Sequence, residues 1–332
     1  MADRTDGAAD VPVLGIDLGG TKILTAVGDR KGTLLSRDHR GTPADGGPDA
    51  VIGAIEESVV RVLDQASLEL KQLAGIGIGA PGPCNTMTGI VHRAPNLPGW
   101  RDVPIRDILA DKFGKKTVLI NDGSAAALAE QRFGAGRDAR CFIYLTVSTG
   151  IGGGIVIDGK VFTGATGGAA EFGHMTIDDD GPPCNCGNRG CWEVLASGTA
   201  LAQSARRRIA EGRSTAILSN ADGDLENVTA RAVHQAARSG DALAGELILD
   251  IAHYLGTGLA NLINLFNPDV IALGGGMMQM GDLLLDPARQ IARRRAFPSA
   301  VEAVRIVSAA LGRNNGVLGA AAHAFDEIAD SG

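Results

Sequence analysis

The chain has 332 residues, enough for two domains of ordinary size, with 45% hydrophobic and 21% charged residues, a globular balance. No apolar run reaches the roughly 18 residues that span a bilayer. The segment Met1 to Ala9 is polar and acidic, unlike a signal or transit peptide. A cytoplasmic protein with no membrane association is expected, and the net charge of −7 argues against a partner of nucleic acid, which would call for a basic face.

In chain order, Val11 to Asp17 is an apolar strand ending near Gly19-Gly20, and Ile23 to Val27 is its hairpin return. Thr33 to Ser36 follows as a third strand. Ile52, Ile55, Val59, Val62 and Leu63 recur at helical spacing. Gly75 to Gly79 is a strand broken by Pro81-Gly82-Pro83. Thr117 to Ile120 is a strand that enters Asn121-Asp122, and Ala125 to Phe133 is a helix. A second block repeats the opening: strand Phe142 to Val147, loop Ser148-Thr149-Gly150, strand Gly154 to Ile157, then Lys160 to Phe162 after an Asp158-Gly159 type I′ turn. Helices follow at Thr199 to Glu211, Val228 to Arg238 and Leu243 to Phe266, the last stopped by Pro268. Asp222-Gly223-Asp224 reads as a surface loop. Val270 to Leu273 and Val304 to Val307 are strands, and Val317 to Ile328 closes the chain as a helix. Interleaved strands and helices make this α/β. The repeated glycine hairpin suggests duplication and two similar domains across a cleft. The domains are expected at 1–120 plus 314–332, and at 121–313.

Asp17-Leu18-Gly19-Gly20-Thr21-Lys22 is neither a Walker loop nor a Rossmann fingerprint, since the spacing differs and no helix follows. It can still wrap phosphate, because glycines let N–H groups converge and Thr21 adds a hydroxyl. Asp17 could hold Mg²⁺ through water. Taken alone, a tight hairpin with an incidental acid explains it equally well. The loop at Ser148, Thr149 and Gly150 repeats the pattern. Gly275 and Gly276, after a buried strand, are candidates for packing against an adenosine or for a plain turn.

His174 with Cys184, Cys186 and Cys191 makes a Cys₃His set among Gly and Pro, the composition of a closed zinc site. With four protein ligands the Zn²⁺ would be structural, bracing Glu171 and Glu193. One ring nitrogen of His174 could bind metal while the other faces a ligand. Asp122 ends a strand, where ligands gather in open sheets. Its local sequence slightly favours a plainer role as a helix N-cap.

Together these residues resemble the ROK family of repressors and sugar kinases. The most specific stretch is Glu171-Phe-Gly-His174 followed by Cys184-Asn-Cys186-Gly-Asn-Arg-Gly-Cys191-Trp-Glu193. The resemblance is nearest to the family's bacterial glucokinases. It implies the two-domain actin-like ATPase (ribonuclease H-like) fold and ATP-dependent phosphorylation of glucose or another hexose such as N-acetylmannosamine, mannose or fructose. It implies Asp122 as general base, with Asn96, Asn121, Glu171, His174, Glu193 and the backbone at Gly82 on the sugar. Asp17, Gly19, Gly20, Thr21, Lys22, Ser148, Thr149 and Gly150 would serve the phosphates of ATP, and Gly275 and Gly276 the adenosine. It also implies a homodimer or homotetramer. Ala170 stands where the family commonly has Gly, and Ser124 where it often has Asn. A sugar-responsive repressor would need a helix-turn-helix ahead of the first hairpin, where 14 residues precede Gly15.

Overall fold

Among residues 11–94 and 96–328, which the computed structural model describes, the expected strands and helices recur with a few shifts. Met1 to Ala9 and Pro95 lie outside the described residues. Buried apolar side chains make β1 (Val13–Leu18) a core strand, and the glycine turn returns the chain as β2 (Lys22–Gly28). β3 (Leu34–Gly41) runs five residues past Ser36 because two of its buried positions are polar. The Ser36 hydroxyl donates to the Val62 carbonyl at 2.7 Å, and buried Asp38 accepts from the Ser58 hydroxyl at 2.8 Å. α1 (Gly47–Ala66) buries Ile52, Ile55, Val59 and Val62, as their spacing predicts. β4 (Ile76–Ala80) follows.

A small sheet of β5 (Cys84–Asn85), β6 (Ile90–Arg93) and β7 (Arg101–Val103), then α2 (Ile105–Phe113), was not expected. Strands of two to four residues are too short to display alternation. β8 (Thr117–Asn121) runs directly into α3 (Asp122–Phe133). β9 (Cys141–Val147) and β10 (Ile151–Ile157) flank the second glycine loop, with β10 starting at Ile151 instead of Gly154. Asp158 and Gly159 have φ of 48° and 78°, both positive as the type I′ turn requires, and β11 (Lys160–Val161) returns.

α4 (Trp192–Ala196) precedes α5 (Gly198–Ala210), α6 (Ala230–Arg238) and α7 (Ala242–Phe266). Ser197, Thr229 and Asp241 cap the last three by accepting backbone N–H groups. Asp222 to Asp224 is exposed, as expected. β12 (Val270–Gly274) leads to α8 (Asp282–Arg295), which the sequence hid behind Pro287 and a terminal arginine run. α9 (Pro298–Ala303), β13 (Arg305–Ser308) and α10 (Asn315–Glu327) complete the order.

Two five-stranded sheets share one topology: β3-β2-β1-β4-β8 and β11-β10-β9-β12-β13. In the first, β1, β4 and β8 are parallel; in the second, β9, β12 and β13 are. The duplication inferred from the glycine hairpins is therefore present strand for strand.

The chain divides into two compact units, residues 1–138 with 154–170 and 310–332, and residues 139–153 with 171–309. This differs from the division expected at 120 and 121. Residues 121–138 join the first unit because α3 packs on α10 there, with Ala125, Leu128 and Ala322 in one apolar cluster with Ile120. In the second unit, α7 packs on α8, burying Leu255 and Leu259 beside Leu284 and Ala288.

Gly319 on α10 shows how close α3 lies: a Cβ there would overlap the Ala125 carbonyl oxygen. Gly319→Ala should improve helix propensity by about 1 kcal/mol yet destabilise by about 1–3 kcal/mol net through overpacking. Urea unfolding measures the sign, and a gain in stability would contradict this packing.

Candidate active site

In the first unit, the register of the parallel strands sets the site. Asp17 pairs with Gly79, and Gly79 with Ile120, while Ala80 pairs with Asn121. The carboxyl ends of β1, β4 and β8 therefore lie on one edge. Two strand spacings place the Asp17 and Ile120 backbones about 10 Å apart.

The β1–β2 turn closes with the Gly19 N–H donating to the Lys22 carbonyl at 2.9 Å. Thr42, just past β3, holds it, its hydroxyl donating to the Gly19 carbonyl at 2.7 Å. A Cβ at Gly20 would collide with Asn96, so the expected phosphate turn and the expected sugar residue are in contact. Gly82 has φ of 80° and lies against the Arg93 carbonyl, just before that Asn96 segment. Asp17 faces the first turn of α10, where any side chain at Gly316 would strike its carboxylate. Burial pushes the Asp17 carboxyl above the usual carboxylate range, and the charge of Lys22 pulls it partly back. Thr42 and Gly316 were missed because each meets the turn from a distant part of the chain.

The N-cap of α3 is Asn121, not Asp122. The Asn121 side-chain oxygen accepts from the Gly123 and Ser124 N–H groups at 3.0 and 3.2 Å. Its amide nitrogen keeps its donors for other partners. Asp122 is exposed at the first helical position, with Oδ1 accepting from the Gly123 N–H at 2.8 Å.

In the second unit, the Ser148–Gly150 turn closes with the Ser148 N–H donating to Gly150 at 2.9 Å. The Gly198 N–H, opening α5, donates to the Ser148 carbonyl at 2.7 Å. Gly275, with φ of 91°, backs onto the Val147 carbonyl, which brings Gly276 beside the Ser148 hydroxyl. A cavity of about 500 Å³ opens here, lined by Ser148, Thr149, Gly276, Thr199, Arg206 and His234 among others. Gly150 and Gly275 do not line it. Arg206 was missed by sequence reasoning. Its guanidinium donates to the Glu226 and Val228 carbonyls at 2.6 and 3.2 Å, while its buried Nε has no partner among the described residues.

Glu171, His174, Glu193 and the three cysteines converge in the same unit. Glu171 leads a short turn in which the His174 N–H donates to its carbonyl at 3.1 Å. The Trp192 N–H donates to Met175 at 2.8 Å, and Thr176 bridges to Cys191, joining the two halves. The Glu193 Oε2 accepts from the Ile151 N–H at 3.0 Å, so one of its oxygens is committed to the glycine loop. The ligand atoms of His174, Cys184, Cys186 and Cys191 all lie within 4.8 Å of one another, a set able to hold a metal ion. The Cys186 and Cys191 sulfurs are 3.6 Å apart, and Cys184 Sγ is 3.7 Å from His174 Nδ1. Tetrahedral ligands at about 2.3 Å from a metal would be separated by about 3.8 Å. Burial pushes the Cys191 thiol up to about 12, whereas the Asn188 backbone N–H draws the Cys186 thiol down. Metal loading must therefore displace protons. With Nδ1 turned to the cysteines, His174 presents Nε2 outward.

The duplicated sheets and the ligand-gathering strand ends define the two-domain actin-like ATPase fold of sugar kinases. The sequence profile of the ROK family matches residues 13–327, and the chain belongs to that family. It is 37% identical over 309 residues to a glucokinase of Thermotoga maritima, covering 93% of this chain and 96% of the relative. The crystal structure of a ROK hexokinase from Thermus thermophilus superposes with a TM-score of 0.81 at 38% identity, covering 96% and 99% of the two chains. A ROK glucokinase from Streptomyces griseus, in complex with glucose and AMPPNP, gives a TM-score of 0.79 at 37% identity, covering 93% and 98%. Among the described residues, no helix is long and apolar enough to cross a membrane.

Asn121→Ala should cost about 1 kcal/mol by removing the cap, while Asn121→Asp, which keeps an accepting oxygen, should cost less. Thermal unfolding of the two variants compares them; equal losses would contradict capping by Asn121.

Proposed function

We propose that the protein transfers the γ-phosphoryl group of ATP to the 6-hydroxyl of glucose, with Asp122 as general base. The observation that carries this reading is the division of roles at the start of α3. Asn121 caps the helix, so capping does not account for the exposed Asp122 carboxylate. A sugar hydroxyl placed there loses its proton to Asp122 as its oxygen attacks phosphorus, and the bond to the β-phosphate oxygen breaks to leave ADP. The similarity to glucokinases across most of both chains supports glucose as the acceptor.

The Asn121 amide, Asn96 and the Gly82 backbone in the first unit, and Glu171, His174 Nε2 and the remaining Glu193 oxygen in the second, are read as partners of sugar hydroxyls. Asp17, Gly19, Gly20, Thr21 and Lys22, together with Ser148, Thr149 and Gly150, are read as the phosphate contacts. Gly275 and Gly276 are read as the adenosine side, and the adjoining cavity has the volume of a small-ligand site. The Arg206 Nε, which has no partner among the described residues, is a buried donor suited to an acceptor on the nucleoside. Mg²⁺, held through water by Asp17, would neutralise phosphate charge. Zn²⁺ in the Cys₃His set would be structural, since four protein ligands leave no open position. Following the family resemblance, the chain is taken to form a homodimer or homotetramer.

Asp122→Asn should lower kcat by about 100-fold or more while leaving the melting temperature nearly unchanged. A coupled assay of glucose-dependent ADP release decides, and near-wild-type turnover would remove Asp122 from the chemistry. The same assay over mannose, fructose and N-acetylmannosamine ranks the acceptors. Purified protein should contain one zinc per chain by elemental analysis. Cys184→Ser should lose it together with thermal stability, and unchanged metal content would end the zinc assignment.

A further inference from the structure

The cavity read as the adenosine side does not close beyond the base. Ser148, Thr149 and Gly276 crowd one end of it, where the Gly198 and Thr199 N–H groups donate to the Ser148 and Thr149 carbonyls. From there the 3₁₀ turn Gly276–Met280 forms one wall, and its rise carries Met280 about 8 Å from Gly276. α6 forms the facing wall through Ala230 and His234. A second cavity of about 420 Å³ begins at His234, Gln279 and Met280, which line both, and continues to Arg238, Asp282 and Leu283.

The two walls advance together. On α6 the lining passes from Ala230 to His234 to Arg238, about one helical turn at each step and about 12 Å in all. Opposite, it passes from Gly276 to Met280 to Leu283, with Gly281 at φ of 57° turning the chain into α8. The second cavity is therefore the continuation of the first, on the side away from Ser148. The first is already of small-ligand size, so an adenosine there leaves the second over.

The chemistry of the second cavity suits an uncharged group. Arg238 and Asp282 carry opposite charges. Burial, together with the charge of Arg238, holds His234 below its ordinary value, which leaves the imidazole neutral at pH 7. Leu283 is a large apolar side chain, 46% exposed where it lines this cavity, and Met280 is buried at the junction. In a purine nucleotide with its phosphates at Ser148 and Thr149, the ring edge remote from the ribose bears the exocyclic amine, and that edge meets the junction first. We propose that the second cavity is a subsite for an uncharged aryl or alkyl group carried on the exocyclic nitrogen of the purine. The proposal rests on the reading of the first cavity as the adenosine side.

Calorimetric titration of the full chain with ADP and with N6-benzyl-ADP tests it. The two should bind within about threefold of each other. Leu283→Trp, which places an indole in the second cavity from the first turn of α8, should weaken N6-benzyl-ADP by about tenfold or more and leave ADP unchanged. Arg238→Trp, from the facing wall, should do the same, and it decides alone should Leu283→Trp fail to fold. Binding of ADP without binding of N6-benzyl-ADP overturns the proposal and leaves the adenosine reading intact. Binding of both with no response to either variant overturns it too, since the benzyl group then lies elsewhere. Failure of ADP itself to bind removes the adenosine reading and the subsite with it.

Discussion

Two hydrogen bonds at the end of one strand determine what the first unit can do. The Gly123 and Ser124 N–H groups both donate to the Asn121 side chain, and this starts α3 one residue before Asp122 would have capped it. A helix that began with Asp122 as its cap would have turned that carboxylate inward to satisfy backbone donors. Because Asn121 takes the duty, Asp122 occupies the first turn, where the helix dipole favours a negative charge and the side chain stays exposed. The strand register then brings this position to the edge that carries Asp17 and Ala80.

The second unit depends on a comparable economy of contacts. Glu193 joins the cysteine loop to the first residue of β10, and the Thr176–Cys191 bridge joins it to the Glu171 turn. Three segments far apart in sequence are thereby tied within one unit. A metal in the Cys₃His set would stiffen an arrangement that the backbone already favours, because the sulfurs stand near ligand spacing.

Much of this was legible in the residue order. Strands of uniform apolar character, such as β1, β9 and β12, and helices with clear periodicity, such as α1 and α7, could be placed to within a few residues. The duplication was visible because glycine hairpins recur. β3 was cut short because Ser36 and Asp38 face inward and disguise its alternation. The β5–β7 sheet and α8 were hidden by brevity and by Pro287. Among the candidate site residues, the glycine loops, Asp122 and the cysteine cluster announced themselves through local pattern. Thr42, Gly316 and Arg206 could not, since each matters only through contacts that tertiary folding creates. Glu130, buried on α3, is the extreme case, since its carboxylate accepts from the Ala310 N–H, 180 residues away. Ala170 falls between: its family position suggested glycine, and its φ of 69° shows a backbone that glycine would adopt with less strain.

The place of α10 in the fold has a consequence for biosynthesis. Val13 on β1 shares its apolar cluster with Ala321, Ala324 and Phe325, so a strand made before the rest of its sheet is covered by a helix made after all of β2 to β13. Until that helix emerges, one face of the first sheet stays open to water. The nascent chain must therefore carry a sticky, half-finished sheet until α10 is made, whereas residues 171–309 can pack with partners already made. Truncation at the carboxyl end would thus strike the amino-terminal sheet hardest.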